Sequence, residues 1–223
     1  MSVEEIIGFA TGAVCVWLAV RQNVWTFPVG LANNAVYVVL FASSGLYAGA
    51  GLQVVYIVLG VLGWVWWVRG GPGGDALTVR RTPPWAWAAA AAAVAGTAAL
   101  LAWVLSVFTD SVAPGLDAVT TSLSLVAQLM LGRKWIGSWW VWIVADVIYV
   151  WLYVASGLYL TAVLYSGFIV LCAVGLRDWR RELTAPATEG VSAQVTPAPG
   201  AGGSPGVLQA GRDTVDAEQQ QVP

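Results

Sequence analysis

Two short stretches, Ser44-Gly45-Leu46-Tyr47 and Ser156-Gly157-Leu158-Tyr159, decide the fold. They lie 112 residues apart. The same ungapped shift carries Tyr37 onto Tyr149, Leu40 onto Leu152, Ala50 onto Ala162 and Leu52 onto Leu164. It also aligns Ile57-Val58-Leu59 with Ile169-Val170-Leu171, Gly63 with Gly175, Trp67 with Trp179, Asn34 with Asp146 and Arg21 with Arg133. Chance agreement between two apolar stretches would favour Leu, Val and Ala. Ser-Gly-Leu-Tyr and Trp held in one register point instead to a duplication. The repeated unit covers residues 3–67 and 115–179.

The surroundings of these stretches set the solvent. The chain has 223 residues, 58% hydrophobic and 10% charged, with mean hydropathy +0.73. A soluble domain carries about 25% charged residues, so lipid is the expected medium. A membrane-crossing helix needs about 20 mainly apolar residues. Seven stretches fit: 4–20, 26–43, 50–68, 85–106, 114–132, 139–155 and 159–177. Each repeat then holds three spans. Two odd-numbered units joined directly would be inverted relative to one another, and the span at 85–106 restores a common orientation. The expectation is an all-α integral membrane protein with seven transmembrane helices in a 3+1+3 parallel repeat, a known transporter plan. Its parts are a first repeat at 1–69, a loop and linker helix at 70–113, a second repeat at 114–181 and a disordered cytoplasmic tail at 182–223. The tail is rich in Ala, Pro, Gly, Thr and Gln and lacks the apolar surface to fold alone.

Charge placement orients the chain. Numbering the loops from an outside N-terminus puts all 10 Lys and Arg on the inner side. Glu4, Glu5 and Asp110 fall outside. The positive-inside rule then gives N-out, C-in. The first apolar run follows Glu4 and Glu5 rather than positive charge, so it reads as a retained span. A net charge of -2 gives no pull toward nucleic acid. The chain has no histidine and only Cys15 and Cys172, so neither a metal site nor a cofactor is expected. No set of residues suited to catalysis occurs.

Ionisable residues inside spans are costly and usually functional. Asp146 is the clear case, with Asn34 as its repeat counterpart. Tyr37 and Tyr149 follow these by three residues and share their faces. Gln53 and Tyr56 share a face of the third span, and Tyr165 is the counterpart of Gln53. Trp139 and Trp142 lie seven and four residues before Asp146, on one helical stripe. Flat rings beside a polar group suit a planar aromatic solute with a hydroxylated tail. Trp85, Trp87, Trp66, Trp67 and Trp179 read as interface anchors. The Gly8/Gly12 and Gly45/Gly49 spacings read as helix packing or turns.

Several of these residues also form an ordered set. Trp25-Thr26-Phe27-Pro28-Val29-Gly30, Tyr37, Gly45-Leu46-Tyr47-Ala48, Leu52-Gln53, Tyr56, Gly63-Trp64 and Trp67 resemble the first half of the PnuC-type vitamin transporters. Trp139, Trp142, Asp146-Val147, Gly157-Leu158-Tyr159-Leu160-Thr161-Ala162 and Tyr165 resemble the second half. The resemblance covers residues 5–180. It implies a fold related to the SWEET sugar transporters, a homotrimer with one pathway per protomer, and a bacterial plasma membrane. It further implies facilitated diffusion of an unphosphorylated vitamin, which a cytoplasmic kinase then traps. Solute contacts in the family carry onto Trp139, Trp142 and Gln53, and also onto Asn34 and Asp146. Gly137-Ser138 stands where the family usually has Glu-Asn. The first expected cargo is riboflavin, ahead of nicotinamide riboside and then thiamine. The reading from another class is a membrane receptor or scaffold without flux.

Overall fold

The computed structural model describes residues 3–43, 45, 47–70, 77–108 and 114–185. Seven helices follow in order: α1 Val3–Val20, α2 Thr26–Ser43, α3 Tyr47–Arg69, α4 Pro84–Phe108, α5 Pro114–Gly132, α6 Gly137–Ala155 and α7 Tyr159–Thr184. No strand occurs among the described residues, only an isolated bridge between Arg80 and Trp135. Six helices, α2 to α7, are long and apolar enough to cross a membrane. The apolar stretch of α1 within the described side chains is shorter, Gly8–Val20. The outward faces carry Val36, Val58, Leu100, Trp103, Val147, Trp151 and Val170, all exposed. Such a surface is stable only against hydrocarbon, where helices satisfy every backbone group internally.

The helix ends follow the repeat. α1 closes with Gln22 N bonded to Ala19 O and Asn23 N to Leu18 O. α5 closes with Lys134 N bonded to Leu131 O and Trp135 N to Met130 O. α6 closes with Gly157 N bonded to Val154 O and Leu158 N to Tyr153 O. Each is a paired C-terminal cap around a left-handed residue. Those residues match across the shift: Gln22 and Lys134 at φ 52° and 51°, Gly45 and Gly157 at 76° and 74°.

Neighbouring helices form a closed ring: α1 against α2, α2 against α3, α3 against α5, α5 against α6, α6 against α7, and α7 back against α1. The shift turns the α1–α7 contact into the α5–α3 contact, so the two junctions between the repeats are equivalent. α4 lies outside the ring, chiefly on α5, with Trp87 reaching the start of α6 at Gly137.

The packing inside each repeat is also equivalent. Phe27 meets Trp67 edge-on at 5.1 Å and 85°, and Trp139 meets Trp179 at 5.3 Å and 86°. A Cβ on Gly63 would come 2.6 Å from the Phe27 ring, and one on Gly175 would come 2.7 Å from the Trp139 ring. These glycines are therefore the seats of the aromatic side chains. The main core gathers where the repeats meet, around Ala19, Val20, Leu131, Trp139, Leu176 and Trp179.

Three expectations change. Trp179 is fully buried and Trp67 packs on the same core, so neither is an interface anchor. The two rings lie 6.4 Å apart, between the repeats. Trp85 and Trp87 are exposed, as an anchor requires. α7 runs to Thr184, past the boundary set at 181, because Trp179 and Leu183 still pack inward after its arginines begin. The expected tail lies outside the described residues from 186 onward, as does Asp110.

Candidate functional site

A cavity of about 390 Å³ lies inside the ring and draws its walls from all six ring helices and none of α4. That is within the range of small-molecule sites, roughly 300–1,000 Å³. All nine residues singled out from the sequence line it: Asn34, Tyr37, Gln53, Tyr56, Trp139, Trp142, Asp146, Tyr149 and Tyr165.

Helix direction sets their depth. α2 and α6 both start at the end that carries Arg21, Arg133 and Lys134, here termed the basic end. At about 1.5 Å per residue, Asp146 lies about 10 Å along α6 from Trp139, and Tyr149 about 15 Å. Phe27, Trp139, Ala19 and Leu131 thus line the cavity toward the basic end, and the tyrosines line it toward the other. There Tyr149, Tyr153 and Tyr165 form a cluster with centroids 5.0 to 6.1 Å apart. Phe168 extends it to Phe9 on α1, 4.9 Å away. In the first repeat Tyr37 sits 5.5 Å from Phe41, the counterpart of Tyr153. Tyr37 lies against Gly8, where a Cβ would fall 1.8 Å from its hydroxyl. Thr120 and Ser124 stand beside Tyr149 at the sites related to Gly8 and Gly12.

The middle of the cavity is polar. Asp146 is only 5% exposed, and Cys172 Sγ donates to its Oδ2 at 3.8 Å. A thiol is a weak donor, so the carboxyl group keeps capacity for further partners. Asn34, Gln53 and Tyr56 share this cavity, and no Lys or Arg lines it. Trp139 is buried, and its Nε1 has no hydrogen-bond partner among the described residues; Ser138 Oγ is the other such atom. Buried donors are normally satisfied, so this enclosed N–H is an exception in the packing around the cavity.

The cavity also takes in residues that sequence reasoning passed over: Asn33, Ser124, Gln128, Phe168, Cys15 and Cys172. Gln128 carried a usable signal, a carboxamide within an apolar span, the same one that marked Gln53. Ser124 bonds back to Thr120 O at 2.9 Å, and Ser122 to Ala118 O at 2.7 Å. The hydroxyl-rich stretch of α5 is therefore satisfied within its own helix.

Comparison with known proteins gives this arrangement a family. Residues 2–181 match the family described as nicotinamide mononucleotide transporter. The chain is 24% identical over 200 residues to the nicotinamide riboside transporter PnuC of Escherichia coli, covering 78% of this chain and 84% of that protein. It is 29% identical over 196 residues to the riboflavin/roseoflavin transporter RibM of Streptomyces davaonensis, covering 85% and 92%. A crystal structure of the vitamin B3 transporter PnuC superposes with a TM-score of 0.61 at 21% identity, covering 78% of this chain and 79% of that one. The last comparison speaks to the fold. The chain belongs to the nicotinamide mononucleotide transporter family, the PnuC-type carriers, and is a multi-pass membrane transporter rather than an enzyme.

Proposed function

We propose that this protein takes up an unphosphorylated vitamin by facilitated diffusion, with riboflavin as its cargo. The observation that carries this reading is a single cavity walled by both repeats, with tryptophan and tyrosine rings around a carboxamide and carboxyl centre. Trp139, Trp142, Tyr149 and Tyr165 would hold a flat ring system. Asn34, Gln53, Tyr56 and Asp146 would bond its polar edge and hydroxylated tail, with Tyr37 closing the far side. A phosphorylated solute would meet no cation on these walls. RibM, at 29% identity and 92% coverage, supports riboflavin. Nicotinamide riboside is the second reading, supported by the similarity to PnuC.

The wider picture belongs to the same proposal. α1 would be the seventh crossing; its 18 residues span about 27 Å, near the thickness of the hydrocarbon core. The paired helix junctions and matching caps support a parallel 3+1+3 repeat of the SWEET type. Residues 70–113 would link repeats at 1–69 and 114–181. The basic residues support an N-out, C-in topology in a bacterial plasma membrane. The protein would act as a homotrimer upstream of a vitamin kinase.

Uptake of labelled riboflavin into proteoliposomes, with nicotinamide riboside and thiamine as competitors, tests the assignment. Saturable riboflavin flux that unlabelled riboflavin suppresses best is the expected result. Flux of nicotinamide riboside alone would replace the cargo. Binding without counterflow of any of the three would leave a receptor and overturn the carrier.

A further inference from the structure

At the basic end of the cavity stand two residues that the 112-residue shift relates to one another. α1 and α5 both finish in a turn whose left-handed residue is not glycine: Gln22 and Lys134. That backbone is strained for any residue with a side chain. Glycine takes the left-handed position in the turns after α2 and α6. The two strained side chains bond to each other: Lys134 Nζ donates to Gln22 Oε1 at 2.9 Å. Gln22 Nε2 donates in turn to the carboxylate of Glu182, near the end of α7. Partial burial lowers the Lys134 pKa, and the nearby charge of Glu182 works against that shift.

The Lys134 ammonium also sits 4.5 Å from the Trp67 ring centre, beside the Trp67–Trp179 pair. Trp67 Nε1 donates to Leu131 O at 3.4 Å, and Trp179 Nε1 donates to Val20 O at 3.3 Å. Each tryptophan is thus tied to the end of the other repeat's first helix. Leu131 is also a cavity wall.

We propose that Gln22, Lys134 and Glu182, beside the Trp67–Trp179 pair, form a latch that holds the basic end of the pathway shut, and that their parting opens the cavity to that side. The proposal rests on the transport reading above. Glycine would relieve the strain at both turns, so the side chains are retained for what they reach. The Gln22–Glu182 contact is exposed and therefore individually weak. A closure that must break in every cycle needs contacts of that strength. The positive-inside rule makes this the cytoplasmic side.

Cys15 and Cys172 line the cavity and are the chain's only cysteines, so their alkylation reports which side is open. The full-length protein is placed in inverted and in right-side-out vesicles, and a small impermeant maleimide is added. Labelling is followed by mass spectrometry. Gln22→Gly and Lys134→Gly remove the side chains while easing the backbone, so folding is preserved. Glu182→Gln removes the third member. Each glycine variant is expected to label at least three-fold faster than wild type in inverted vesicles and no faster in right-side-out ones. Unchanged rates in both glycine variants, or an equal rise from both sides, would overturn the latch. Labelling needs no cargo, so failed riboflavin flux would strike the function assigned above and leave this result intact.

Discussion

Trp139 shows how one residue ties the packing to the cavity wall. Its ring rests on Gly175, lines the cavity and leaves Nε1 without a partner. A methyl group at residue 175 would meet the ring at 2.7 Å and force it to move. Overpacking of this kind costs about 1–3 kcal/mol. Gly175→Ala is therefore expected to weaken binding of the transported vitamin by about ten-fold, equivalent to about 1.4 kcal/mol, while the protein stays folded. Gly63→Ala presses on Phe27 instead and should have the smaller effect, since Phe27 has no polar group to misplace. Fluorescence titration of both variants checks the order; a larger loss in Gly63→Ala would contradict it. At this scale the sequence was informative about the site. A carboxyl or carboxamide in an apolar span stands out, and helical spacing from Asp146 picked out Trp139, Trp142 and Tyr149. Cys15 and Phe168 were invisible because apolar residues facing a cavity look like those facing lipid.

At the scale of the helix, the ends carry the information. Gly157 adopts φ 74° and accommodates the cap of α6 without strain. Gly157→Ala imposes a left-handed backbone on a residue with a Cβ, at a cost of about 1–2 kcal/mol. Thermal unfolding in detergent should show a lower Tm for this variant and an equal or higher Tm for Gln22→Gly. A drop in both would mean that Gln22 is held in place by more than the strain it stores. Six of the seven expected spans lie close to the observed helices, because Gly, Pro and charged residues mark the breaks. The exception is α7. Arg177, Arg180 and Arg181 look like a stop, yet the helix continues to Thr184 beyond the apolar span. Charged residues end a membrane span, not the helix that makes it, and Trp179 keeps one face of the extension in the core.

In the whole molecule, the matching of residues was legible in the sequence and the asymmetry of their packing was not. Matching residues announce two equal units, but only the packing shows that one is better tied down. α4 lies on α5. The segment before it clamps the α5–α6 turn: Arg80 N donates to Lys134 O at 3.0 Å, Ile136 N to Arg80 O at 3.0 Å, and Gly137 N to Thr82 Oγ at 2.8 Å. Val79 of the same segment is buried in the main core. Among the described residues the equivalent α1–α2 turn has no such backbone clamp; it is held by Thr26 Oγ donating to Cys15 O at 2.9 Å and by the side-chain bonds of Gln22 to Lys134 and Glu182. Buried residues make up 28% of the α6 span and 22% of the α7 span, against 11% of their counterparts α2 and α3. Local opening is easiest where few buried contacts resist it. The second repeat with α4 should therefore act as the frame, and the first repeat should move against it. Hydrogen exchange followed by mass spectrometry in nanodiscs tests this through the backbone amides of the two equivalent turns, 21–26 and 133–138. The first turn should exchange at least ten-fold faster, a difference of about 1.4 kcal/mol in opening free energy. Adding cargo should slow it more than the second. Equal rates in the two turns would mean that the clamp does not set the frame, and that both repeats move alike.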